Sequence, residues 1–316
     1  MLSASHQANA KAALAAVQSL RCGRYRASTV AETSVHACFH ISDGEQSYFA
    51  KVAHHPKAKA LLKAEADGLR AMAATGSVRT PEVLLLSSSV DDTPTPQTLV
   101  DNNSLNDPSQ TYSCLVLEFL PMKTGEAGAA LGQALAGMHR CHADTFGWNQ
   151  DNYLGMTPQS NRQQHDIVQF MAEQRIGYQL KLAQRDGLNF SILDQGWQLV
   201  ERIHQLYHHY HPHPSLVHGD LWHGNQGCLS DGTPVIFDPA VHFGDPEADL
   251  AMAELFGGFS RDFFAAYRDH AGIDDGYSLR KNLHQLYHVL NHHHLFGSSY
   301  AGQAQRLIQG SLAGLK

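Results

Sequence analysis

The stretch LVHGDLWHGN occupies residues 216–225, and IFDPAVHFGDPEADLA follows at 236–251. In the first piece a short apolar strand, Ser215 to Val217, delivers His218-Gly219-Asp220 to a loop. Asn225 stands five positions beyond Asp220. Gly219 and Gly224 allow backbone turns that side chains forbid. In the second piece the apolar run Val235-Ile236-Phe237 ends at Asp238, just before Pro239. A hairpin over 226–237, turning at Asp231-Gly232, makes Asn225 and Asp238 face one cavity. The carboxylate of Asp220 can accept a proton from an attacking hydroxyl or orient it. The carboxamide of Asn225 and the carboxylate of Asp238 can bind a hard cation through oxygen. A base flanked by two oxygen ligands is the arrangement of phosphoryl transfer, with Mg²⁺ held across nucleotide phosphates. Asp and Asn also favour turns, and Asp231 is read as such a case.

The order and spacing of Asp220, Asn225 and Asp238 follow the protein-kinase signature, Asp-x-x-x-x-Asn and then a metal-binding Asp. His218-Gly219-Asp220 stands in place of His-Arg-Asp, and Asp238-Pro239-Ala240 in place of Asp-Phe-Gly. Such a site needs a strand lysine for the phosphates and a helix glutamate to hold it. Lys51 is a lone cation in the apolar strand SYFAKVA (47–53), and Glu65 lies in the next helix. The segment Leu117-Glu118-Phe119-Leu120 leads into a connector, where backbone groups of Glu118 and Leu120 can hydrogen-bond adenine.

Outward from these residues the chain divides in two. The first third reads as β-rich after an Ala-rich opening helix. VHACFHI (35–41) and SYFAKVA flank SDGEQ, an antiparallel hairpin. A helix over 56–76 follows, started by Pro56 and stopped by Gly76. Strands are expected at 82–87 and 113–119, separated by a polar, turn-rich insertion at 88–111. Beyond Pro121, helical periodicity dominates at 127–142, 161–186, 190–209, 261–271, 278–297 and 299–313. The expectation is an α+β, bilobal chain: a β-rich N-lobe over 1–120 and a larger, mainly helical C-lobe over 121–316.

Composition bounds the rest. The 316 residues are 43% hydrophobic and 17% charged, which excludes a disordered chain. Lys plus Arg number 23 against 30 Asp plus Glu, and a net charge of −7 makes a poor generic binder of nucleic acid. No apolar run reaches the ~20 residues that span a bilayer. The N-terminus lacks a signal peptide's charged start and continuous apolar core. Five scattered cysteines without a CxxC pair suit free thiols in a reducing compartment. A cytoplasmic protein, monomeric or weakly dimeric, is the expectation. The 22 histidines cluster at 54–55, 208–209 and 292–294 and are read as surface residues, because adjacent residues on a helix point in different directions. His139 and His142 lie one turn apart with nothing nearby to complete a metal set.

Several stretches together resemble the fructosamine kinase (ketosamine-3-kinase) family, relatives of aminoglycoside phosphotransferases and choline kinases. They are FGWNQDNYLG (146–155), FMAEQRIGYQL (170–180), LVHGDLWHGN (216–225), FDPAVHFGDPEADLAM (237–252) and QLYHVLNHHHLFG (285–297). The resemblance spans nearly the whole chain. It implies a protein-kinase-like fold and ATP-dependent phosphorylation of the sugar O3 hydroxyl of a fructosamine or related ketosamine, free or on a glycated protein. The phosphorylated adduct then falls apart, which links the family to deglycation. By position, the resemblance implies Asp220 as base, Asn225 and Asp238 as Mg²⁺ ligands, and Lys51 as the phosphate-binding lysine with Glu65 its partner. Trp222 walls the sugar site, and His218 is assigned with it to the substrate side. Asp245 and Asp249 are expected to support the catalytic loop, and Glu173, Gln174 and Arg175 to pack or pair on the large lobe. The family's phosphate-covering loop contains adjacent glycines; here 27–39 has none, so the backbone amides of Thr33 and Ser34 are the phosphate donors available, with a sterically harder approach. The alternatives are a kinase of another amino-sugar or amino-alcohol, and a nucleotide-binding pseudokinase.

Overall fold

The computed structural model describes residues 4–32, 36–88, 112–123, 125 and 127–315. The chain forms two compact units, Met1–Arg70 with Pro81–Pro121, and Ala71–Thr80 with Met122–Lys316.

The first unit opens with α1 (Ala4–Leu20), whose Ala12, Ala13, Ala16 and Val17 form one buried stripe. That stripe lies on a five-stranded antiparallel sheet ordered β1-β2-β3-β5-β4. Its strands are β1 (Arg26–Glu32), β2 (His36–Ser42), β3 (Ser47–Ala53), β4 (Val83–Ser88) and β5 (Ser113–Glu118). The helix α2 (Ala58–Ala74) follows β3. Phe39, Ile41, Val52 and Val116 join the α1 stripe in one core. Each such side chain contributes roughly 1.5–3 kcal/mol of burial. The β2–β3 hairpin turns where expected: Asp43 Oδ1 accepts from the N–H groups of Glu45 and Gln46, and Gly44 takes φ +100°. Exposed β1 was not expected from its sequence. The insertion at 88–111 lies outside the described residues, apart from Ser88.

The second unit is mainly helical. After α3 (Gly128–Met138) comes a small hairpin, β6 (Asn152–Leu154) and β7 (Thr157–Gln159). The helix expected over 161–186 begins only at 167, where Asp166 caps it by accepting from Val168 N–H at 2.6 Å. It runs as α4 (Ile167–Phe170), a π-helical stretch Met171–Ile176, and α5 (Gly177–Arg185). The helix α6 (Phe190–Leu206) follows, capped by Asn189. Then come β8 (Ser215–Val217), the hairpin β9 (Gln226–Cys228) and β10 (Pro234–Ile236), and β11 (His242–Gly244), which pairs antiparallel with β8. Four helices complete the unit: α7 (Glu247–Leu255), α8 (Arg261–Ala271), α9 (Tyr277–Phe296) and α10 (Ala301–Gly314). Gly132 lets α3 approach α8 closely, since a Cβ there would sit 2.2 Å from the Phe263 carbonyl oxygen. Among the described residues no helix is long and apolar enough to cross a membrane.

Candidate active site

The pairing of β8 with β11 and the β9–β10 hairpin bring the two diagnostic segments together. At Gly219, φ is +80° and a Cβ would lie 2.2 Å from the Ala240 carbonyl oxygen, so only glycine fits the turn. His218 is fully buried and bridges the segments. Its Nε2–H donates to the Phe237 carbonyl at 2.9 Å, and its Nδ1 accepts from the Asp220 N–H at 3.2 Å. Burial holds the imidazole below its ordinary pKa, so it stays neutral. Both ring nitrogens are thus used inside the chain, and His218 is a brace between loops where the sequence assigned it to the substrate side.

Asp220 and Asn225 lie at opposite ends of one tight loop. Asn225 Nδ2 donates to the Asp220 main-chain oxygen at 2.9 Å, and it lies 3.3 Å from Asp220 Oδ2 and 3.4 Å from the Asp238 main-chain oxygen. The Phe237 N–H closes the ring of contacts by donating to the Asn225 carbonyl at 3.1 Å. Asp220, Asn225 and the Asp238 backbone therefore meet at one place. Burial pushes the Asp220 carboxyl up to about 7; the charge of Asp238 adds to the rise and the Asn225 bond opposes it. Among the described residues Asp238 is the one non-glycine in the left-handed region, at φ +56°. Such backbone costs of order 1–3 kcal/mol and clusters at functional sites. Trp222 is half-buried; its ring folds over Gly224, where a Cβ would lie 2.3 Å from it.

Asp249, on α7, holds this loop from behind. It is fully buried. Its Oδ2 accepts from the His218 N–H at 2.7 Å and its Oδ1 from the Gly219 N–H at 2.9 Å. His139 Nε2 also donates to Oδ2 at 3.1 Å, and His139 Nδ1 bonds the Tyr267 hydroxyl at 2.8 Å. Burial alone would raise the Asp249 carboxyl, but the bond from His139 and the nearby imidazoles and amides hold it below its usual range. A second buried cluster, Asp245, Glu247 and His284, has its donor atoms within 4.8 Å of one another. Asp245 accepts from Tyr207, Tyr210 and the Glu247 N–H, and Glu247 takes a two-pronged bond from Arg280 at 2.7 and 2.9 Å. Those carboxylates serve as structural braces.

Other residues singled out in the sequence also find definite places. Lys51 is buried on β3, a central strand of the first unit, and donates to Glu65 Oε1 on α2 at 2.8 Å. The Glu118 N–H donates to the Glu82 carbonyl at 2.9 Å, so it is committed to the fold. Leu120 follows β5 and is half-buried. Thr33 and Ser34 lie outside the described residues. Arg175 is buried in the π-helical stretch, bonded to the Ser160 and Gln174 carbonyls and to Asn161 Oδ1, with its guanidinium 4.3 Å from the Phe170 ring centre. His288 on α9 was not foreseen: its Nδ1 lies 3.9 Å from Asp220 Oδ1, and burial pushes its imidazole down to about 3. The i, i+4 spacing of His284, His288 and His292 was the signal. His208 and His209 are exposed as expected, but His293 is buried, facing the core of α9.

Comparison with known proteins places this geometry. The fructosamine kinase family model matches residues 8–314. A Synechocystis protein described as a probable ketoamine kinase is 41% identical over 275 residues, covering 86% of this chain and 85% of its own. The chloroplastic protein-ribulosamine 3-kinase of Arabidopsis thaliana is 34% identical over 280 residues, covering 88% of this chain and 79% of its own. A crystal structure from Haemophilus somnus 129PT, provisionally assigned as a fructosamine-3-kinase, superposes with a TM-score of 0.80 at 25% identity, over 98% of this chain and 99% of that one. The fold is protein-kinase-like, with a β-rich and a mainly helical unit.

Proposed function

The chain belongs to the fructosamine kinase family, and on that premise we propose that it transfers the γ-phosphoryl group of ATP to the O3 hydroxyl of a ketosamine sugar. It is a phosphotransferase with an alcohol group as acceptor. The observation that carries the reading is the meeting of Asp220, Asn225 and Asp238 on two joined turns, with the Asp220 carboxyl raised to about 7.

Asp220 accepts the proton of the sugar hydroxyl as its oxygen attacks phosphorus. A carboxylate with a raised pKa is a stronger base than an ordinary one, and proton removal by a placed side chain is worth roughly 10²–10⁴-fold in rate. His218 and Asp249 keep the base in position through the backbone. Asn225 and Asp238 are the residues that would hold Mg²⁺. The donor set fits: one carboxylate and one carboxamide oxygen are hard ligands, and Mg²⁺ takes one or two such groups beside phosphates and waters. Asn225 turns its Nδ2 to Asp220, which puts its Oδ1 on the other arm of the amide. When bound, the ion neutralises charge on the transferring phosphate.

Lys51, oriented by Glu65, binds nucleotide phosphates; the covering role expected of Thr33 and Ser34 falls outside the described residues. Backbone groups at Glu118 and Leu120 receive adenine, at Glu118 through the carbonyl. The indole of Trp222 packs against the sugar's C–H face. Breakdown of the 3-phosphorylated adduct, with phosphate as the leaving group and the amine set free, then makes the reaction a step of deglycation. The test is transfer from ATP to a synthetic fructose-amine, with the product mapped by NMR. Phosphate at O3 is expected. Transfer only to choline or an aminoglycoside, or nucleotide binding without turnover, would overturn the reading.

A further inference from the structure

His288 stands beside Asp220, and from it aromatic side chains continue along α9 to the surface of the second unit. His288 Nδ1, buried and without a hydrogen-bond partner, lies 3.9 Å from Asp220 Oδ1. One turn further along α9, His292 donates its Nδ1–H to the His288 carbonyl at 2.7 Å, which fixes the ring. The His292 ring is the hub of a cluster. Phe256 meets it edge-on at 5.2 Å, Phe296 lies at 5.4 Å and Tyr300 at 5.1 Å. On the catalytic loop itself, Trp222 meets His223 edge-on at 5.0 Å. Gly257 and Gly258, both in the left-handed region, carry the chain from Phe256 to the catalytic loop. A Cβ on Gly258 would lie 2.6 Å from His223 Cβ, so that segment is pressed against the loop.

This cluster is not a closed core. Phe256 is 42% exposed and Phe296 64% exposed. Large aromatics that touch each other while presenting faces to solvent mark a binding surface more than a packing need. Its chemistry is also specific. Burial keeps both His288 and His292 below the ordinary imidazole pKa, so the wall leading from Asp220 carries no cationic ring at neutral pH. Neutral aromatic faces attract ammonium groups and pack against alkyl stems. A ketosamine held with its O3 hydroxyl at Asp220 carries a secondary ammonium and an alkyl substituent away from the sugar.

We propose that Phe256, His292, Phe296 and Tyr300 form an aromatic platform that receives the amine-bearing substituent of the ketosamine, continuous with the Asp220 site. The platform sets preference among amines, favouring sugar adducts on a lysine side chain over those on a minimal amine. This rests on the ketosamine reading above.

The test is steady-state kinetics of the full chain on two fructose adducts, one of methylamine and one of the side-chain amine of Nα-acetyl-lysine amide. The readout is the ratio of kcat/KM for the lysine adduct to that for the methylamine adduct. Phe256→Ala and Phe296→Ala are expected to lower this ratio roughly tenfold through KM, and Phe296→Tyr to restore it. Phe190→Ala is the control, removing a phenylalanine 82% exposed at the start of α6, outside the cluster; it is expected to leave the ratio alone. A ratio unchanged in both alanine variants, with wild type active on both adducts, overturns the platform alone. So does a concentration-dependent dimer that Phe296→Ala disperses while the ratio holds. Wild type inert on both adducts overturns the ketosamine reading and the platform with it.

Discussion

The amide nitrogen of Asn225 binds Asp220 twice, at its main-chain oxygen and at its carboxylate. One side chain thus steadies the base and commits the orientation of its own carboxamide. Asn225→Asp keeps an oxygen ligand but sets a second negative charge beside Asp220. Like charge disfavours ionisation, so the acid limb of the pH–rate profile is expected to move to higher pH, while dependence on the divalent ion remains. An unmoved limb would show that Asp220 does not govern it.

Asp249→Ala removes the acceptor for two buried backbone N–H groups and leaves His139 without its carboxylate. Breaking a buried pair in this way costs about 3–5 kcal/mol, to be read from urea unfolding. The pH dependence has a definite sign. The folded pKa of Asp249 lies below its unfolded value, near 3.9, so its stabilisation is present above about pH 4 and is lost as pH falls through the folded value. Asp249→Asn is expected to flatten that acid loss, and an unchanged acid limb of stability would contradict the assignment.

Gly219→Ala places a methyl group where the Ala240 carbonyl stands, at a backbone angle that L-residues disfavour. A destabilisation above ~1 kcal/mol is expected. Turnover should fall about 10²-fold, because a shift of the loop by about 1 Å misplaces the base. Calorimetric melting and single-turnover rates check both, and wild-type values in both would contradict the account.

Lys51→Met removes a buried cation whose partner is Glu65. The expected result is a rise in the KM for ATP and a fall in kcat of roughly 10²-fold, together with a loss of stability of about 3–5 kcal/mol because the largely buried Glu65 carboxylate loses its partner. Near-normal ATP kinetics would remove Lys51 from the phosphate site.

Much of this was legible because local signals were strong. The Asp43-Gly44 turn, the loops that carry Asp220 and Asp238 out of β8 and β10, and their spacing all lie within short segments. What stayed hidden is non-local. RASTVAE in β1 is mostly exposed and becomes a strand only through its pairing with β2. The three-residue strands β6, β7 and β11 are too short for periodicity to register. The π-helical stretch interrupts a pattern that reads as one helix. His288 reaches Asp220 from a distant helix, which no spacing within the catalytic segment can reveal. The bracing bonds of His218 were not legible because its motif names a neighbour of the base and says nothing of burial.

Calorimetric binding of ATP, with and without Mg²⁺, beside turnover on a fructose-amine tests the central claim most directly. Wild type is expected to gain affinity from Mg²⁺, and Asp238→Asn to lose that gain. Asp220→Ala should retain it while turnover falls at least ~10²-fold. Near-normal turnover in Asp220→Ala, or an undiminished Mg²⁺ effect in Asp238→Asn, would contradict the roles assigned to these carboxylates.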